Sequence, residues 1–315
     1  MSRLSVQIVT WNSAATIEAC LDSLRAQERQ DFEVVVVDNA STDRSLELVR
    51  TALRPLGSRA RIVAEDHNRG FCGGQNRATA LTRGGWVLFL NPDAELPPSF
   101  MDKALDCIGA APGDVGSLVP RILLPDGRIE STGLVLDRFR RLRDRGQGLP
   151  AQGAFTEEED VMGGTGAVIL HRRAMLDDVA VEGQPLDENL FAYYDDLDLA
   201  LRARGRGWRS RYVPSLEAVH HRAGRNSLRG LPRRRVDARA QALTVRNRLL
   251  VMAKHERIAD LLRDLPQLAA FELARIGYLS WKSPAALRGY GAAFAGLPAA
   301  VRARRELLSR TPRVR

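Results

Sequence analysis

The chain has 315 residues, of which 44% are hydrophobic and 27% are charged, so it is neither a disordered nor a collagen-like protein. The net charge of +9 is unevenly distributed, because residues 229–315 contain 19 Lys and Arg against 6 Asp and Glu, whereas residues 1–228 contain 28 against 32. We therefore expect a globular domain over 1–228 and a basic helical region over 229–315.

The N-terminus and the cysteines indicate a cytoplasmic protein. Residues 4–9 have the composition of a strand rather than of a signal peptide, and no apolar run approaches the ~20 residues of a membrane span. Cys20, Cys72 and Cys107 are widely spaced and follow no metal-binding pattern. We expect them to be reduced thiols.

Residues 1–120 alternate between strand and helix patterns, which predicts a parallel α/β sheet flanked by helices. The expected strands are 4–10, 33–37, 60–64, 86–90 and 115–119. Ser13 is expected to cap the first helix, whose apolar face carries Ile17, Leu21 and Leu24. The helix after the second strand carries Leu46, Val49 and Leu53 on one face, with its cap in residues 41–43.

Acidic and amide side chains directly follow two of these strands. Residues 34–37 are four valines in a row, typical of a strand buried on both faces, and the run ends at Asp38 and Asn39. Asn91 and Asp93 follow the strand 86–90 in the same way. Open α/β sheets bind ligands at the carboxyl ends of their strands, so we expect one acid to anchor a nucleoside and the other a divalent cation. The alternative for each is a capping turn.

Residues 68–76 form a glycine-rich segment, Asn-Arg-Gly-Phe-Cys-Gly-Gly-Gln-Asn. We expect a loop whose backbone N–H groups approach a phosphate or a ribose. The segment matches neither a Walker A motif nor a dinucleotide-binding fingerprint, and a mobile surface loop is the alternative.

Residues 121–228 have an irregular α+β pattern. The turn at 125–127, Pro-Asp-Gly, predicts a hairpin, and the glycine-rich residues 163–166 precede a short strand over 167–170. Residues 196–204 have a helical pattern and residues 210–213 a strand pattern. In the tail we expect helices over 236–256, 258–281 and 285–308.

An acidic pair, Asp195 and Asp196, follows two tyrosines at the start of a predicted helix. The helix dipole favours acids in the first turn and would by itself explain one of them. The pair also suits a general base that is positioned by its surroundings. His220 and His221 are adjacent on an extended segment, so at most one of them should face a given site.

These segments, in this order, resemble the inverting family 2 glycosyltransferases with the GT-A fold, and most closely their bacterial rhamnosyltransferase-like branch. The likeness covers roughly residues 4–255. The segments that match the donor half of the family are 10–12, 37–43, 68–76 and 90–93. Those that match its acceptor and catalytic half are 164–167, 186–188, 191–202, 207–208, 212–214 and 221–227, and residues 246–249 are similar to a helix of this branch.

The resemblance implies a GT-A type α/β fold with an α+β acceptor half, a C-terminal helical appendage and roles for individual residues. The donor-binding residues would be Thr10, Trp11, Asn12, Asp38, Asn39, Asn68, Gly70, Asn91 and Asp93. The acceptor-binding residues would be Gly164, Thr165 and Gly166, and the catalytic residues Asp196, as the base, and Asp195. Asp93 would hold Mg²⁺ or Mn²⁺ together with His221, or else His220.

Four features depart from the family pattern. Asn91 replaces the first acid of an Asp-X-Asp motif, which leaves one strong metal ligand and predicts weak metal binding before the donor arrives. Asp195 stands where the family usually has Glu, and Arg77 replaces a small residue. The insertion at 225–226 leaves the histidine match open between the two adjacent histidines.

We therefore expect an enzyme that transfers a sugar, with inversion, from a nucleotide-sugar donor to a cell-surface glycan or a polyprenyl-linked acceptor. The resemblance suggests dTDP-rhamnose first, then UDP-sugars and GDP-mannose. A nucleotidyltransferase is one alternative, but it would need an N-terminal glycine-rich loop with Lys or Arg, which residues 10–15 lack. A catalytically silent nucleotide-sugar-binding module is the other, and intact Asp93 and Asp196 argue against it.

The basic tail predicts peripheral association with an anionic membrane at its cytoplasmic face. Apolar residues alternate with Arg over 258–305, and Lys and Arg are attracted to anionic lipid. The alternative is a set of helices that complete the domain or form a homodimer. Nucleic-acid binding is not expected, because the tail has few aromatic residues and no known nucleic-acid-binding motif.

Overall fold

The computed structural model describes residues 4–222 and 237–310. Strands and helices alternate through its first part: β1 (Leu4–Thr10), α1 (Ile17–Arg25), β2 (Phe32–Asp38), α2 (Ser45–Leu53), β3 (Ala60–Ala64), α3 (Gly70–Thr79) and β4 (Trp86–Leu90). The four strands are parallel and lie in the order β4-β1-β2-β3. Thr10 pairs with Asp38, so β1 and β2 end together at one edge of the sheet. The predicted parallel α/β sheet is confirmed.

The second part of the chain extends this sheet and covers it. Its elements are β5 (Ala94–Glu95), α4 (Phe100–Ala110), β6 (Val115–Leu123), β7 (Ile129–Ser131), β8 (Leu134–Leu136), β9 (Leu142–Asp144), β10 (Glu159–Val161), β11 (Val168–Arg172), α5 (Arg173–Asp178), α6 (Asp195–Gly205) and β12 (Arg209–His220). The full strand order is β10-β12-β6-β11-β4-β1-β2-β3. The predicted hairpin at 125–127 joins β6 to β7, which are antiparallel.

β11 joins the two parts because it runs antiparallel to both β4 and β6. Its first residues therefore lie beside the end of β4. The backbone N–H of Asn91 donates to the carbonyl of Ala167 at 2.8 Å. The glycine-rich residues 163–166 are thus brought to the edge where the parallel strands end.

The valine run of β2 is buried on both faces. All four valines are at most 1% exposed. Val34 and Val36 pack in the hydrophobic cluster that contains residues of α1 and α2, whereas Val35 and Val37 pack with Ala78 of α3. The strand has no solvent-facing side. The change from valines to Asp38 and Asn39 therefore marks the carboxyl end of the strand, at the edge of the sheet.

The glycine-rich segment is a helix over most of its length, and the predicted loop is wrong. α3 begins at Gly70 and its glycines serve close packing. A Cβ on Gly74 would lie 2.5 Å from Val9 Cγ1, closer than any side chain tolerates. The glycine is therefore required for contact between α3 and β1, and from Gly70 onward the segment is not a phosphate-binding loop.

The starts of the first two helices differ in their capping. In the predicted turn 41–43, Asp43 Oδ1 accepts the N–H of Ser45, the first residue of α2, at 2.9 Å, although the residue at the N-cap position itself is Arg44. The prediction that the Ser13 side chain caps α1 is wrong, because no side-chain hydrogen bond caps this helix. The carbonyl oxygen of Ser13 accepts the N–H of Ile17 at 2.9 Å instead.

The tail forms three helices, α7 (Ala238–His255), α8 (Ile258–Lys282) and α9 (Arg288–Arg310), in agreement with the predicted ranges. Leu250 and Val251 of α7 belong to the same hydrophobic cluster as Leu197 of α6 and Tyr212 of β12. The tail therefore packs on the second part of the chain. In the residues that the structure describes, no helix is long and apolar enough to cross a membrane.

Candidate active site

The ends of β1 and β2 form a buried polar edge, which consists of Thr10, Asp38 and Asn39. Each is at most 2% exposed. Within the described ranges, Thr10 Oγ1, Asp38 Oδ1 and Asn39 Oδ1 have no hydrogen-bond partner. Buried polar atoms are nearly always paired, so these atoms indicate a place where a ligand supplies the partner. The hydroxyl and N–H donors of a nucleoside suit such oxygens.

Asn12 and Trp11, which follow β1, flank the polar edge. Asn12 has a positive φ of 52°, and its Oδ1 accepts the N–H of Thr42 at 2.8 Å while its own N–H donates to Ser41 Oγ at 2.9 Å. These bonds join the loops that follow β1 and β2. Trp11 is 50% exposed, so its ring is available to a ligand.

Gly70 connects the polar edge to the second part of the chain. Asn39 Nδ2 donates to the carbonyl of Gly70 at 2.8 Å, and Asn68 Oδ1 accepts the N–H of Gly70, also at 2.8 Å. Gly70 has a φ of 74°, and a Cβ there would lie 2.5 Å from the carbonyl oxygen of Phe191. The start of α3 thus contacts the segment that precedes α6.

Asp93 lies against His220 and not against the side chain of His221. His220 Nε2 lies 3.0 Å from Asp93 Oδ1, and His220 Nδ1 lies 2.9 Å from Glu130 Oε1. Burial by itself would lower the pKa of His220, but the hydrogen bonds to the two carboxylates raise the pKa to about 9. The imidazolium therefore donates to both acids at neutral pH. His221 Nε2 lies 2.7 Å from Glu95 Oε1.

Two further charges, Arg222 and Asp144, extend the ionic network from Glu130, and neither they nor Glu130 followed from the sequence. Arg222 Nε donates to Glu130 Oε1 at 2.7 Å, and its Nη2 donates to Asp144 Oδ2 at 3.2 Å. Glu130 is only 2% exposed. These residues come from β7, β9 and the end of β12, so only the sheet brings them together.

The described residues contain no group of three or more His, Cys, Asp and Glu side chains arranged to hold a metal ion. Asp93 offers a carboxylate at the strand end, and His220 Nε2 lies 3.0 Å from it. This donor set fits a Mg²⁺ or Mn²⁺ ion that takes most of its oxygens from phosphate and water. The Asn91 position, next to Asp93, supplies no second acid.

Asp195 and Asp196 begin α6 in different environments. Asp195 is 6% exposed, and its Oδ2 lies 3.9 Å from where a Cβ on Gly166 would be. Burial raises the pKa of Asp195 to about 6. Asp196 is half-buried, and its Oδ1 accepts the N–H of Leu197 at 2.8 Å. Burial and the neighbouring Asp195 charge raise the pKa of Asp196 well above its ordinary value.

The residues predicted to bind an acceptor surround this pair unequally. Gly166 faces both Asp195 and Phe71. A Cβ on Gly166 would lie 3.1 Å from Cζ of the Phe71 ring. A Cβ on Gly164 would lie 2.8 Å from Val119 Cγ1, so Gly164 is packed against the core. Thr165, between them, is half-buried.

Asp198, one turn into α6, belongs to a saturated ionic cluster that the sequence did not reveal. Arg202 Nε donates to its Oδ2 at 2.9 Å, Lys254 Nζ lies 3.0 Å from the same atom, and His255 Nε2 lies 2.7 Å from its Oδ1. Burial would raise the pKa of Asp198, but Lys254 and Arg202 hold it well below its ordinary value. Asp198 is therefore ionised and structural.

Comparison with known proteins identifies the family. A family model described as glycosyl transferase family 2 matches residues 5–168, just over half of the chain. A PGL/p-HBAD biosynthesis glycosyltransferase of Mycobacterium bovis is 41% identical over 92 residues, which are 29% of this chain and 36% of that protein. An N-acetylglucosaminyl-diphospho-decaprenol L-rhamnosyltransferase of Mycobacterium tuberculosis is 28% identical over 243 residues, 70% of this chain and 76% of that protein. An uncharacterized protein of Mycobacterium tuberculosis, 33% identical over 188 residues, is matched over 55% of its length, so the chain spans only about a third to about three quarters of these relatives.

Solved structures share the fold at low sequence identity. GalNAc-T7, crystallised with UDP, GalNAc and Mn²⁺, superposes with a TM-score of 0.63 at 14% identity over 80% of this chain and 47% of that one. The mannosyltransferase PcManGT of Pyrobaculum calidifontis, in complex with GDP-Man and Mn²⁺, has a TM-score of 0.55 at 20% identity over 98% of this chain and 85% of that one. The chain therefore belongs to glycosyltransferase family 2 and has the GT-A fold.

Proposed function

We propose that the chain transfers a sugar from a nucleotide-sugar to an acceptor hydroxyl with inversion at the anomeric carbon. The observation that carries the proposal is the meeting of two unlike sites at one sheet edge. Buried oxygens without partners lie at the polar edge, and an acidic pair, with Asp195 buried and Asp196 half-buried, lies at the start of α6. Asn39 holds Gly70, and Gly70 touches Phe191, four residues before Asp195.

The polar edge would bind the nucleoside of the donor. Asp38 Oδ1 and Asn39 Oδ1 are acceptors, and Thr10 Oγ1 is both a donor and an acceptor. A base N–H or a ribose hydroxyl would hydrogen-bond to these oxygens and remove the free-energy cost of leaving them buried and unpaired in the unliganded protein. Trp11 would cover the exposed side of the nucleoside.

Asp196 would be the catalytic base, because it is the member of the acidic pair that solvent and an acceptor can reach. Its Oδ2 would take the proton of the acceptor hydroxyl, since Oδ1 already accepts the N–H of Leu197. The acceptor oxygen then forms a bond to the anomeric carbon, and the bond from that carbon to the diphosphate oxygen breaks on the opposite face. The nucleoside diphosphate leaves with the electron pair. The negative charge of the neighbouring Asp195 raises the pKa of Asp196 and so makes it a stronger base.

Asp93 would hold a divalent cation, Mg²⁺ or Mn²⁺, together with oxygens of the donor diphosphate. The ion supplies positive charge that favours departure of the diphosphate. His220, as a cation held between Asp93 and Glu130, would add a fixed positive charge near the same carboxylate. Two of the solved structures that share the fold contain Mn²⁺ with a nucleotide or nucleotide-sugar, which supports this choice of ion.

We propose dTDP-rhamnose as the first donor to test and a polyprenyl diphosphate-linked glycan as the acceptor class. A relative that is matched over 76% of its own length is named N-acetylglucosaminyl-diphospho-decaprenol L-rhamnosyltransferase. UDP-sugars and GDP-mannose are the next donors, since proteins of the same fold are solved with UDP-GlcNAc and GDP-Man. A role in cell-surface polysaccharide or cell-wall synthesis follows from this acceptor class.

The test is a thermal-shift screen of these nucleotide-sugars with Mn²⁺, followed by measurement of nucleoside diphosphate released in the presence of acceptor. One donor should raise the melting temperature and release its diphosphate only when acceptor is added. Product stereochemistry, read by NMR, should be opposite to that of the donor. Stabilisation by a nucleotide-sugar without any release would favour a silent binding module, and no stabilisation by any donor would contradict the proposal.

The exposed face of α8 supports membrane association of the proposed enzyme. From Leu265 to Trp281 its exposed residues are apolar or small, and no charged side chain is exposed between them. Leu273 is 72% exposed and Trp281 75%. Proteins rarely expose such a continuous apolar surface without a partner. Arg263 and Lys282 flank this face and provide the positive charges that anionic lipid attracts.

We propose that this face lies on an anionic leaflet, where a polyprenyl-linked acceptor resides. In sedimentation with phosphatidylglycerol vesicles, the double variant Leu273→Glu and Trp281→Glu should have a membrane partition coefficient about tenfold lower than that of the unaltered chain. Ala110→Glu, which adds a negative charge at an exposed position of α4, is the control and should bind normally. Equal binding by the double variant would contradict the proposal, and a dimer that the double variant disrupts would assign the face to a second copy of the chain.

A further inference from the structure

α7 places a fully buried amide against the backbone that precedes the acidic pair. Asn247 is 0% exposed. Its Nδ2 lies 2.8 Å from the carbonyl oxygen of Leu190, 2.8 Å from that of Ala192 and 2.7 Å from that of Tyr193, so its two N–H groups are shared among three acceptors. A single side chain thus gathers three carbonyl groups that would otherwise repel one another in a buried place.

The neighbouring residue on α7 adds to this contact. Arg246 Nη2 donates to the carbonyl oxygens of Asn189 at 2.8 Å and Leu190 at 2.7 Å, and its Nε donates to Asn247 Oδ1 at 2.8 Å. The guanidinium of Arg239, also on α7, lies 5.1 Å from the centre of the Phe191 ring. The whole segment 189–193 is therefore held from the C-terminal region.

The segment needs such support because its backbone is unusual. Phe191, Tyr193 and Tyr194 have φ values of 65°, 70° and 65°. Residues with a Cβ rarely adopt this left-handed region, and they persist there only when the surroundings hold them. Asp195 follows Tyr194 directly, so the direction in which α6 presents its first side chains depends on these three residues.

The same face of α7 also contacts the chain on both sides of this segment. Lys254, seven residues after Asn247, donates from Nζ to Asp187 Oδ2 and to Asp198 Oδ2, each at 3.0 Å. Residues seven apart lie on one side of a helix. α7 therefore contacts the chain before, within and after the strained segment.

We infer that Asn247 is a positioning residue for sugar transfer: its amide fixes the Leu190–Tyr193 backbone so that Asp196 points at the acceptor. This inference rests on the proposed role of Asp196 and extends it to the C-terminal region. Asn247 touches neither donor nor acceptor. It acts through the backbone, and its loss should change turnover without changing donor binding.

The experiment compares Asn247→Ala and Asn247→Asp with Thr244→Ala, a control on the same helix whose hydroxyl donates to the carbonyl of Ala240 within α7. Asn247→Ala should lower kcat about tenfold to a hundredfold and leave the KM for the nucleotide-sugar within about twofold. Asn247→Asp has the same shape but cannot donate to carbonyls, so it should impair kcat at least as much. Thr244→Ala should resemble the unaltered chain.

Two readouts separate positioning from general stability. Amide hydrogen exchange should accelerate at least about tenfold in residues 187–199 of Asn247→Ala and remain unchanged in β1 to β4. The acid limb of the kcat profile should move to lower pH, because a loosened turn admits water and reduces the burial that raises the pKa of Asp195. Normal kcat in Asn247→Asp, or uniform acceleration of exchange over the whole chain, would overturn the inference.

If Asn247→Ala does not fold, Arg246→Met provides the milder test, since it removes the two donations from Arg246 to this segment and leaves the amide of Asn247 in place. It should give the same pattern with a smaller loss of kcat, and normal kcat with normal exchange would overturn the inference. Absence of sugar transfer in the unaltered chain would instead refute the proposed function. The exchange comparison would then still decide whether Asn247 orders residues 187–199.

Discussion

The polar edge and the surroundings of α6 differ in how their buried polar atoms are paired. At the polar edge, Thr10, Asp38 and Asn39 keep oxygens without a partner in the described chain. Around α6, Asp198 and Asn247 are surrounded by partners from several elements. The first arrangement is completed by a ligand, and the second is complete within the protein.

This difference separates binding from positioning. Buried oxygens without partners form new hydrogen bonds when a ligand with matching donors binds, and so the polar edge is suited to select a nucleoside. Around α6 the buried polar groups are hydrogen-bonded and the preceding backbone is held in an unusual conformation. The direction of the carboxylate is therefore fixed before the substrate arrives, which is what a general base requires. Variants in the two regions should therefore fail in different ways, and the following predictions test that distinction.

The largest effect is expected for Asp196→Asn. Removal of the proposed base should lower kcat by about 10²–10⁴-fold, or roughly 3–5 kcal/mol, while donor affinity stays near normal. Steady-state release of nucleoside diphosphate and calorimetric titration of the donor measure the two quantities. Asp177→Asn, at an exposed position of α5, is the control that should change neither. Loss of donor binding in Asp196→Asn would assign this residue to donor binding.

Asp38→Asn should show the reverse pattern. A charged acceptor that bonds a nucleoside contributes about 1.5–3 kcal/mol, so affinity for the nucleoside diphosphate should fall by about tenfold to a hundredfold. The value of kcat at saturating donor should change much less. Calorimetry with the nucleoside diphosphate alone is the measurement, and Asp31→Asn, just before β2 and away from the polar edge, is the control. Unchanged affinity would remove Asp38 from the donor site.

Asp195→Asn should stabilise the fold at neutral pH. Burial raises the folded-state pKa of Asp195 from 3.8 to about 6, so its ionised form opposes folding above that range. The free energy of unfolding should rise by about 1–3 kcal/mol near pH 7, and this gain should shrink as the pH falls towards about 4. Denaturant titrations at both pH values give the comparison. A loss of stability at neutral pH would mean that Asp195 makes a bond that the amide cannot replace.

The smallest effect concerns the pH profile of the unaltered chain. The proposed base must be ionised, and the buried pair titrates above the ordinary range of an aspartate. We therefore expect kcat to fall about tenfold per pH unit below an acid limb at about pH 6 or higher. Donor affinity should stay level through the same range. An acid limb near pH 4 would show that neither carboxyl is desolvated when substrate is bound.

Much of the fold and part of the site could be predicted from local pattern. The unbroken valines of β2 required burial on both faces, and this pattern alone located Asp38 at a sheet edge. The same reasoning located Asp93. The choice between His220 and His221 could not be made, because alternation on an extended segment separates the two side chains without saying which side faces Asp93. Glycines in α3 misled the prediction, since close packing and loop formation favour the same residue.

The sequence by itself determined the alternation of strands and helices, the acids at the strand ends and the acidic pair before α6, because each depends on residues within a few positions of one another. Only the tertiary structure decided which distant groups meet. Glu130 reaches His220 across 90 residues, and Asn247 reaches Tyr193 across 54. Such contacts depend on strand order and helix packing, and burial then sets the pKa of Asp195 by removing water. The chemistry of the acidic pair is therefore a property of the assembled fold.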